Sequence, residues 1–430
     1  MSPLTPGVRA QLRTLSAEFK ANPADARANL NLAKALVAYE SYIAAEGYLR
    51  RATILDSKDH QSAYLLGWVL AAQGDRESAV ADFDRALKLK PGSLPANLAR
   101  ADALRRLGRN PEAEKSFRRI LKDHPAQPHA QFGLGNVLLS TGSYGEAIAV
   151  LQDLCSANPR FGAAHYTLAE AHRKAGDRER AASQLAAYKA SPTREPALDD
   201  EIIQGIKDLN RSHQGLYNRS LRVASSGDWK QAAQLLEEAV SEDPNFLVGH
   251  VNLVTCYAHL GDVKKTDEHY RRALALSPDS AELQNTRGLV DKVAGRNAEA
   301  RKYFLRAIET DPNHYTSYEN LGQISFEAGD LASALRSYEK SAAIAPHSSR
   351  SWIMLGTIHL KQKRQEQARD AFLQVLRLGP DAEPAIQSVM SAYKAADEGL
   401  GWNAFARAAI DRAKQLGLTT IQLQLAMAIR

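Results

Sequence analysis

The sequence predicts an all-α fold, a stack of about ten to eleven helical hairpins, from three observations. Proline recurs every 34 residues in two registers, first Pro91, Pro125 and Pro159, then Pro244, Pro278, Pro312, Pro346 and Pro380. Inside each period, apolar residues recur at helical spacing on both sides of a break that usually contains glycine. Small residues recur at fixed positions. One unit copied many times makes a stack rather than a globule.

Residues 60–93 illustrate one unit. Its first helix is predicted from apolar or small residues at helical spacing, Ala63, Leu66, Gly67 and Leu70. Gly74 and Asp75 break that helix with turn chemistry. A second helix carries Ala79, Phe83, Ala86 and Leu87 on one face, and Pro91 ends it. Each unit is therefore predicted to be two antiparallel helices.

Three positions recur when each unit is numbered so that its proline is position 32. Position 8 is small in nine of ten units, as at Gly67, and position 20 is alanine in nine of ten, as at Ala79. A larger side chain at either point would push the paired helices apart. Position 24 is always a large apolar residue, as at Phe83, and is expected to fill the space between units.

This pattern resembles the tetratricopeptide repeat over roughly residues 26 to 417. The resemblance implies a right-handed α-α superhelix similar to the repeat region of O-linked N-acetylglucosamine transferase. It also implies that first helices line a concave groove, which in this family usually holds an extended or helical peptide.

The repeats predict five segments along the chain. They are a capping helix at 1–25, a first array of five repeats at 26–193, an amphipathic helix at 194–212, a second array at 213–382, and a degenerate repeat with a capping helix at 383–430. For 194–212 two interpretations stay open, a hinge between the arrays or a packed helix that fuses with the next one into a rod. The terminal stretch 419–430 is predicted to be a final helix.

Composition bounds the class of protein. The first 195 residues carry a net charge of +7 and the remainder −1, which favours an acidic partner for the first array. Two cysteines, three repeats apart, predict no disulfide framework, and no secretory leader or membrane span is visible. These features favour a cytoplasmic location. Nothing in the sequence sets an oligomeric state.

No catalytic pattern is present, so the chain is predicted not to be an enzyme and to need no cofactor or metal. Gly133 and Gly135 lie inside a first helix without a preceding strand, which argues against dinucleotide binding. His165 and His172 are predicted to pack against neighbouring helices rather than to bind a metal.

The candidate peptide-binding residues are those at the positions that point into the groove in this family. Asparagine side chains could pair with a peptide backbone without reading its sequence, as similar superhelices do with an asparagine ladder; they are Asn31, Asn136, Asn218, Asn252 and Asn320. Basic side chains would attract an acidic peptide; they are Lys34, Arg105, Arg106, Arg173 and Lys174. Aromatic side chains would pack its apolar residues; they are Tyr64, Trp68, Phe132 and Tyr166.

The sequence thus predicts a non-catalytic scaffold that binds protein or peptide segments. One alternative is a targeting or regulatory arm of a larger enzyme, such as a glycosyltransferase. A nucleic-acid binder is disfavoured because acidic residues are interspersed among the basic ones of the first array. A carboxylate clamp for chaperone C-termini is not predicted, because Asn136 has Phe132 where the clamp needs lysine.

Overall fold

A computed structural model describes residues 5–190, 195–376, 382–396 and 399–415. All of its regular elements are helices, and the predicted fold class, an α-helical solenoid of tetratricopeptide hairpins, is confirmed. The chain divides into two compact units, unit 1 from Met1 to Leu216 and unit 2 from Tyr217 to Arg430. The predicted helix at 419–430 lies outside the described residues.

Unit 1 consists of a lone helix, five hairpins and a short helix. The lone helix is α1 (Pro6–Ala21). The hairpins pair α2 (Ala26–Ala38) with α3 (Tyr42–Leu55), α4 (His60–Gln73) with α5 (Arg76–Leu89), α6 (Leu94–Arg106) with α7 (Asn110–Asp123), α8 (Pro128–Ser140) with α9 (Tyr144–Ala157), and α10 (Gly162–Lys174) with α11 (Arg178–Ala190). The short helix is α12 (Glu201–Asp208).

Helix α13 (His213–Ser225) comes next in the chain. Unit 2 then continues with α14 (Trp229–Glu242), α15 (Leu247–Leu260), α16 (Val263–Leu276), α17 (Ala281–Val293), α18 (Asn297–Thr310), α19 (Tyr315–Glu327), α20 (Leu331–Ile344), α21 (Ser349–Lys361), α22 (Gln365–Leu373), α23 (Glu383–Ala395) and α24 (Gly399–Gln415). The interpretation of 194–212 as part of one rod with the next helix is wrong. Helix α12 ends at Asp208, and Asn210 accepts hydrogen bonds from Ser212 at the start of α13.

The small residue at position 8 is explained by the large residue at position 24 of the same hairpin. A Cβ added to Gly67 would lie 2.8 Å from the ring of Phe83, and one added to Gly356 would lie 2.3 Å from the ring of Phe372. Contacts this short cannot form without moving the ring. The repeated small residue at position 8 and the repeated large residue at position 24 are therefore in contact with each other.

A left-handed residue makes the turn inside most hairpins of the described ranges, and in several of them the side chain of the next residue caps the second helix. Gly74 has φ +92°, and the next residue, Asp75, accepts a hydrogen bond from the backbone N–H of Ser78 at 3.2 Å. Eight hairpins have glycine at this turn position, where the lack of a Cβ removes the steric penalty. Glu40 and Lys363 adopt the same conformation, both at φ 58°.

A second recurrent contact joins the first helix of five hairpins to the loop just before it. A donor side chain at position 4 reaches back to the carbonyl oxygen at the end of the preceding hairpin. It is formed by Asn29 to Pro23, Asn97 to Pro91, His165 to Pro159, His250 to Pro244 and Trp352 to Pro346, at 2.9 to 3.1 Å. His165 also contacts Gln184 Oε1 at 2.7 Å, so this histidine is a packing residue, as the sequence predicted.

Candidate protein-binding surface

The first helices of unit 1 form one continuous layer. Helix α4 contacts α6, α6 contacts α8, and α8 contacts α10, in addition to the contacts inside each hairpin. We call the surface of α2, α4, α6, α8 and α10 that faces away from the second helices the first-helix face. Most candidate residues from the sequence lie on these helices.

A segment of unit 1 itself covers part of the first-helix face. Residues 195–211, which we call the docked segment, include helix α12, and α12 packs on α2. Ile206 is 3% exposed and belongs to the same apolar core as the hairpins. Leu198, Ile202 and Ile203 pack against that core and are half-buried. The amphipathic helix expected at 194–212 is therefore packed on the first array.

Polar contacts fix the docked segment at both ends of α12. Asp200 Oδ1 accepts hydrogen bonds from the backbone N–H groups of Ile202 and Ile203, each at 3.1 Å, and so caps the helix. Its other oxygen accepts a hydrogen bond from the Tyr64 hydroxyl at 2.5 Å. One carboxylate thus starts the helix and ties it to α4. Burial and this carboxylate both raise the pKa of Tyr64, which keeps the phenol a donor.

At the C-terminal end of α12, main-chain carbonyl oxygens accept hydrogen bonds from side chains. The Leu209 carbonyl accepts hydrogen bonds from Gln11 Nε2 at 3.1 Å and from the Tyr39 hydroxyl at 3.4 Å. Asn210 Nδ2 donates to the carbonyl of Ala38 at 3.0 Å. These bonds join the end of α12 to α1 and α2.

The docked segment runs against the order of the repeats. Glu195, near its start, lies 3.6 Å from His129 Nε2 on α8. Asp200 meets α4, and Leu209 meets α1 and α2. The segment therefore passes along the first-helix face from the fourth hairpin back to the first.

The predicted aromatic residues differ in accessibility. Tyr64 is 3% exposed and lies under Asp200, whereas Tyr166 on α10 is 52% exposed. Tyr166 packs edge to face on Tyr188, with ring centroids 5.5 Å apart. Phe132 packs on Phe161 and Trp68 on Tyr42, with centroids 4.9 and 5.7 Å apart. Only the α10 end offers a broadly exposed aromatic side chain among the four.

Four of the five predicted basic side chains are held by a neighbouring side chain. Arg105 and Arg106 both contact Asp102, each at 2.6 Å, and Arg173 contacts Glu170. Lys34 donates to Gln61 Oε1 at 2.9 Å, and burial lowers its pKa. The fifth, Lys174, is exposed at the end of α10. Positive charge on this face is therefore largely neutralised except near α10.

The predicted asparagine ladder is only partly available to a ligand. Asn136 donates to the carbonyl of Phe132, and Asn252 to that of Val248, both at 2.8 Å within their own helices. Asn320 is 3% exposed and donates to Asn285 Oδ1 at 2.9 Å, so its amide is inside unit 2 rather than on a surface. Asn31 on α2 is half-buried, and Asn218 on α13 is exposed.

Tyr64 was a candidate from the sequence, but three other residues that receive the docked segment were not. Gln11, Tyr39 and His129 lie on α1, at the end of α2 and at the start of α8, and none was a candidate. The sequence predicted an amphipathic helix from the spacing of its apolar residues, Leu198, Ile202, Ile206 and Leu209, but it did not predict the surface that this helix covers. Its partners lie up to 198 residues away in the chain and follow no period.

The described residues contain no group of three or more His, Cys, Asp or Glu side chains placed to hold a metal ion. No helix in the described ranges combines the length and apolarity needed to cross a bilayer. Cys155 and Cys256 are free and buried, and burial raises their pKa to about 12 and about 11.

Three family models, each described as tetratricopeptide repeat, match this chain. They match residues 98–160 and 285–349, residues 138–199, 224–285 and 325–393, and residues 60–93. Among curated proteins, the chain is 22% identical over 371 residues to the protein CTR9 homolog of Arabidopsis thaliana, covering 78% of this chain and 34% of that protein. It is 26% identical over 176 residues to the type IV pilus assembly protein PilF of Pseudomonas aeruginosa, covering 40% of this chain and 70% of that protein. The chain thus spans about a third of the length of the Arabidopsis relative.

Solved structures with a similar fold include yeast Tom70, at 15% identity and a TM-score of 0.41, covering 86% of this chain and 95% of that one. Another is YrrB, described as a protein with an unusual peptide-binding site, at 21% identity and a TM-score of 0.36, covering 40% of this chain and 90% of that one. The family models together cover more than half of the sequence. The chain therefore belongs to the tetratricopeptide repeat family.

Proposed function

We propose that this protein is a non-catalytic scaffold that binds segments of other proteins on the first-helix face of unit 1, with a preference for acidic segments. The observation that carries the proposal is the docked segment. The face holds a polypeptide through apolar contacts, a tyrosine–aspartate hydrogen bond and bonds to main-chain carbonyls. A segment of another protein would need the same kinds of contact.

The surface near α10 supports the acidic preference. Tyr166 is exposed, and Arg173 and Lys174 lie at the end of the same helix. A cation beside an exposed aromatic ring attracts a carboxylate and packs an apolar side chain at once. Because Arg173 already contacts Glu170, the attraction is modest and acts mainly on association rate.

Selection from a displayed library of random 16-residue peptides on the full chain tests the proposal. We expect acidic peptides to be enriched and their affinity to fall roughly fivefold to tenfold in the variant Arg105→Ala/Arg106→Ala/Arg173→Ala, since each partly screened charge contributes little alone. The matched control is Lys115→Ala/Arg119→Ala/Lys122→Ala, which removes three exposed cations from the second helix α7. Equal losses in both variants, or no enriched peptide, would refute the proposal.

Salt dependence separates this function from nucleic-acid binding. A nucleic-acid complex should weaken by orders of magnitude between about 50 and 200 mM salt, because it releases condensed counterions. A peptide held mainly by apolar contacts should lose only a few-fold in affinity over the same range. Tight, steeply salt-dependent binding of a single-stranded oligonucleotide would favour the alternative.

A further inference from the structure

We infer that the docked segment is an intramolecular ligand of unit 1. A partner protein would bind the same face with an amphipathic helix of its own that begins with an aspartate N-cap, and this helix would displace the docked segment. This inference rests on the proposed peptide-binding function and adds the class of ligand and the competitor.

The docked segment is bound to the surface like a peptide ligand, and it is not packed in the way that the helices of a repeat are packed. Helix α12 has 8 residues, whereas the helices of the five hairpins have 13 or 14. A helix this short is not stable alone in water, so its structure depends on the surface beneath it. Of its apolar side chains only Ile206 is buried, while Glu201, Gly205 and Lys207 are exposed. It lacks the paired second helix that secures each repeat.

The contacts define what the face recognises. Tyr64 reads a carboxylate that also caps a helix, so the ligand must place aspartate at its N-cap. Ile202, Ile203 and Ile206 on the helix meet the apolar core, and so does Leu198 in the extended stretch before it. Gln11 and Tyr39 take a carbonyl oxygen at the helix C-terminus, which any sequence supplies.

The ligand is therefore a short amphipathic helix with an acidic start, and its apolar stripe and N-cap aspartate carry the specificity. Five positions before the cap, Glu195 lies 3.6 Å from His129 Nε2, so the residue at this point of the ligand meets the imidazole of His129. An occupant of this kind and the docked segment require the same atoms of Tyr64, Gln11 and Tyr39. Binding of one excludes the other, and the apparent affinity for a partner falls by the fraction of molecules whose face is free.

A labelled peptide with the sequence of residues 195–211 tests the inference on the full chain. In the variant Ile202→Glu/Ile206→Glu the docked segment should leave the face, and we expect the peptide to bind this variant at least about tenfold more tightly than it binds the wild type. The same peptide carrying Asp200→Asn or Ile206→Glu should bind weakly to both. The matched control is Ile43→Glu/Ile54→Glu on α3, where both side chains are more than three-quarters exposed; it should behave as the wild type.

A second variant keeps the inference testable if the double substitution disturbs folding. Tyr64→Phe leaves the apolar contacts in place and removes the bond to Asp200. We expect faster hydrogen exchange at the amides of Ile202 and Ile203 and several-fold weaker peptide binding in the variant with the released segment. Equal peptide affinity for the wild type and a folded, released variant would overturn the inference, as would unchanged exchange in Tyr64→Phe.

The failures are distinguishable. If the peptide binds the released variant but no foreign peptide is ever selected, the intramolecular ligand stands and the proposed function fails. If foreign peptides bind the wild type and the released variant equally well, the proposed function stands and the inference fails.

Discussion

Neighbouring hairpins are joined by different chemistry in the two units. At two junctions of unit 1, position 5 of a first helix is apolar and position 3 of the next is alanine; these are Leu98 with Ala130 and Phe132 with Ala164. At two successive junctions of unit 2 the same positions hold Asn285 with Ser317 and Glu319 with Ser351, all less than 5% exposed. The repeat frame therefore accepts either an apolar or a polar pair of side chains at these two positions.

The polar junctions are satisfied by hydrogen bonds inside unit 2. Asn285 Oδ1 accepts from Ser317 Oγ at 3.1 Å and from Asn320 Nδ2 at 2.9 Å. Glu319 Oε1 accepts from Ser348 Oγ at 2.5 Å and from Ser351 Oγ at 2.8 Å. Burying an asparagine or glutamate side chain without hydrogen-bond partners would cost several kcal/mol. The serines supply these partners, so unit 2 can hold Asn285 and Glu319 where unit 1 holds apolar residues.

The largest expected effect is one that the two units share. Phe304 in unit 2 and Phe117 in unit 1 both occupy position 24 and are 0% and 2% exposed. Replacing either by alanine should lower the free energy of unfolding by about 3–5 kcal/mol, because it removes a ring and leaves a cavity. Urea denaturation measures the loss, and hydrogen exchange should place it in the mutated hairpin and its neighbours. A loss confined to one unit's variant would mean that the units do not share a packing scheme.

The polar junction should respond to loss of one donor. Ser351→Ala leaves the buried Glu319 carboxylate one hydrogen bond short and should cost about 1–3 kcal/mol of unfolding free energy. The control Ser156→Ala, at an exposed serine bonded to its own helix, should change it by less than about 0.5 kcal/mol. Adding Glu319→Leu to Ser351→Ala recreates the unit 1 junction and should recover much of the loss. A strictly additive double variant would show that the pair is not coupled.

Acid should destabilise unit 2 through His250. His250 and His165 both bond the preceding proline carbonyl, but His250 Nδ1 faces His269 Nδ1 at 3.1 Å where His165 faces Gln184. Burial lowers the pKa of His250, and His269 and Arg272 lower it further, while the Pro244 carbonyl and Glu237 oppose them. The unfolded chain therefore takes up a proton below about pH 6.5 that folded unit 2 resists.

The free energy of unfolding should thus be fully retained above pH 6.5 and fall by at most about 1.4 kcal/mol per pH unit below it, until the folded pKa is reached. His250→Asn keeps the donor to Pro244, as Asn29 and Asn97 do at the same position, and removes the titrating group. Urea denaturation at pH 7.5 and 5.5 compares the two proteins. The same acid loss in His250→Asn as in the wild type would refute this assignment.

The parts of the molecule that sequence predicts are those set by contacts within one period. Gly67 and Phe83 occupy positions 8 and 24 of their repeat, 16 residues apart. The same spacing recurs in every repeat, so the contact can be predicted from the sequence pattern. The docked segment was predicted as a helix but not in its place, because contacts such as Asn210 to Ala38 span 172 residues and occur once. Asn320 was expected on the groove surface, and its burial depends on Asn285 in the previous hairpin.

The smallest expected effect concerns the turn that both units use. Glu40 in unit 1 and Lys363 in unit 2 adopt φ 58° where the other hairpins with this turn have glycine. A side chain at this conformation is strained, so Glu40→Gly and Lys363→Gly should each raise the free energy of unfolding by about 0.5–1 kcal/mol. The matched control, Gly74→Ala at φ +92°, should lower it by a similar amount, and nothing lies within 4 Å of the added Cβ to confuse the result. If glycine destabilises both turns, the side chains of Glu40 and Lys363 stabilise their hairpins by more than the backbone strain costs. In that case each unit would have a non-glycine residue at this turn because its side chain makes stabilising contacts, and not merely because the fold tolerates the backbone strain.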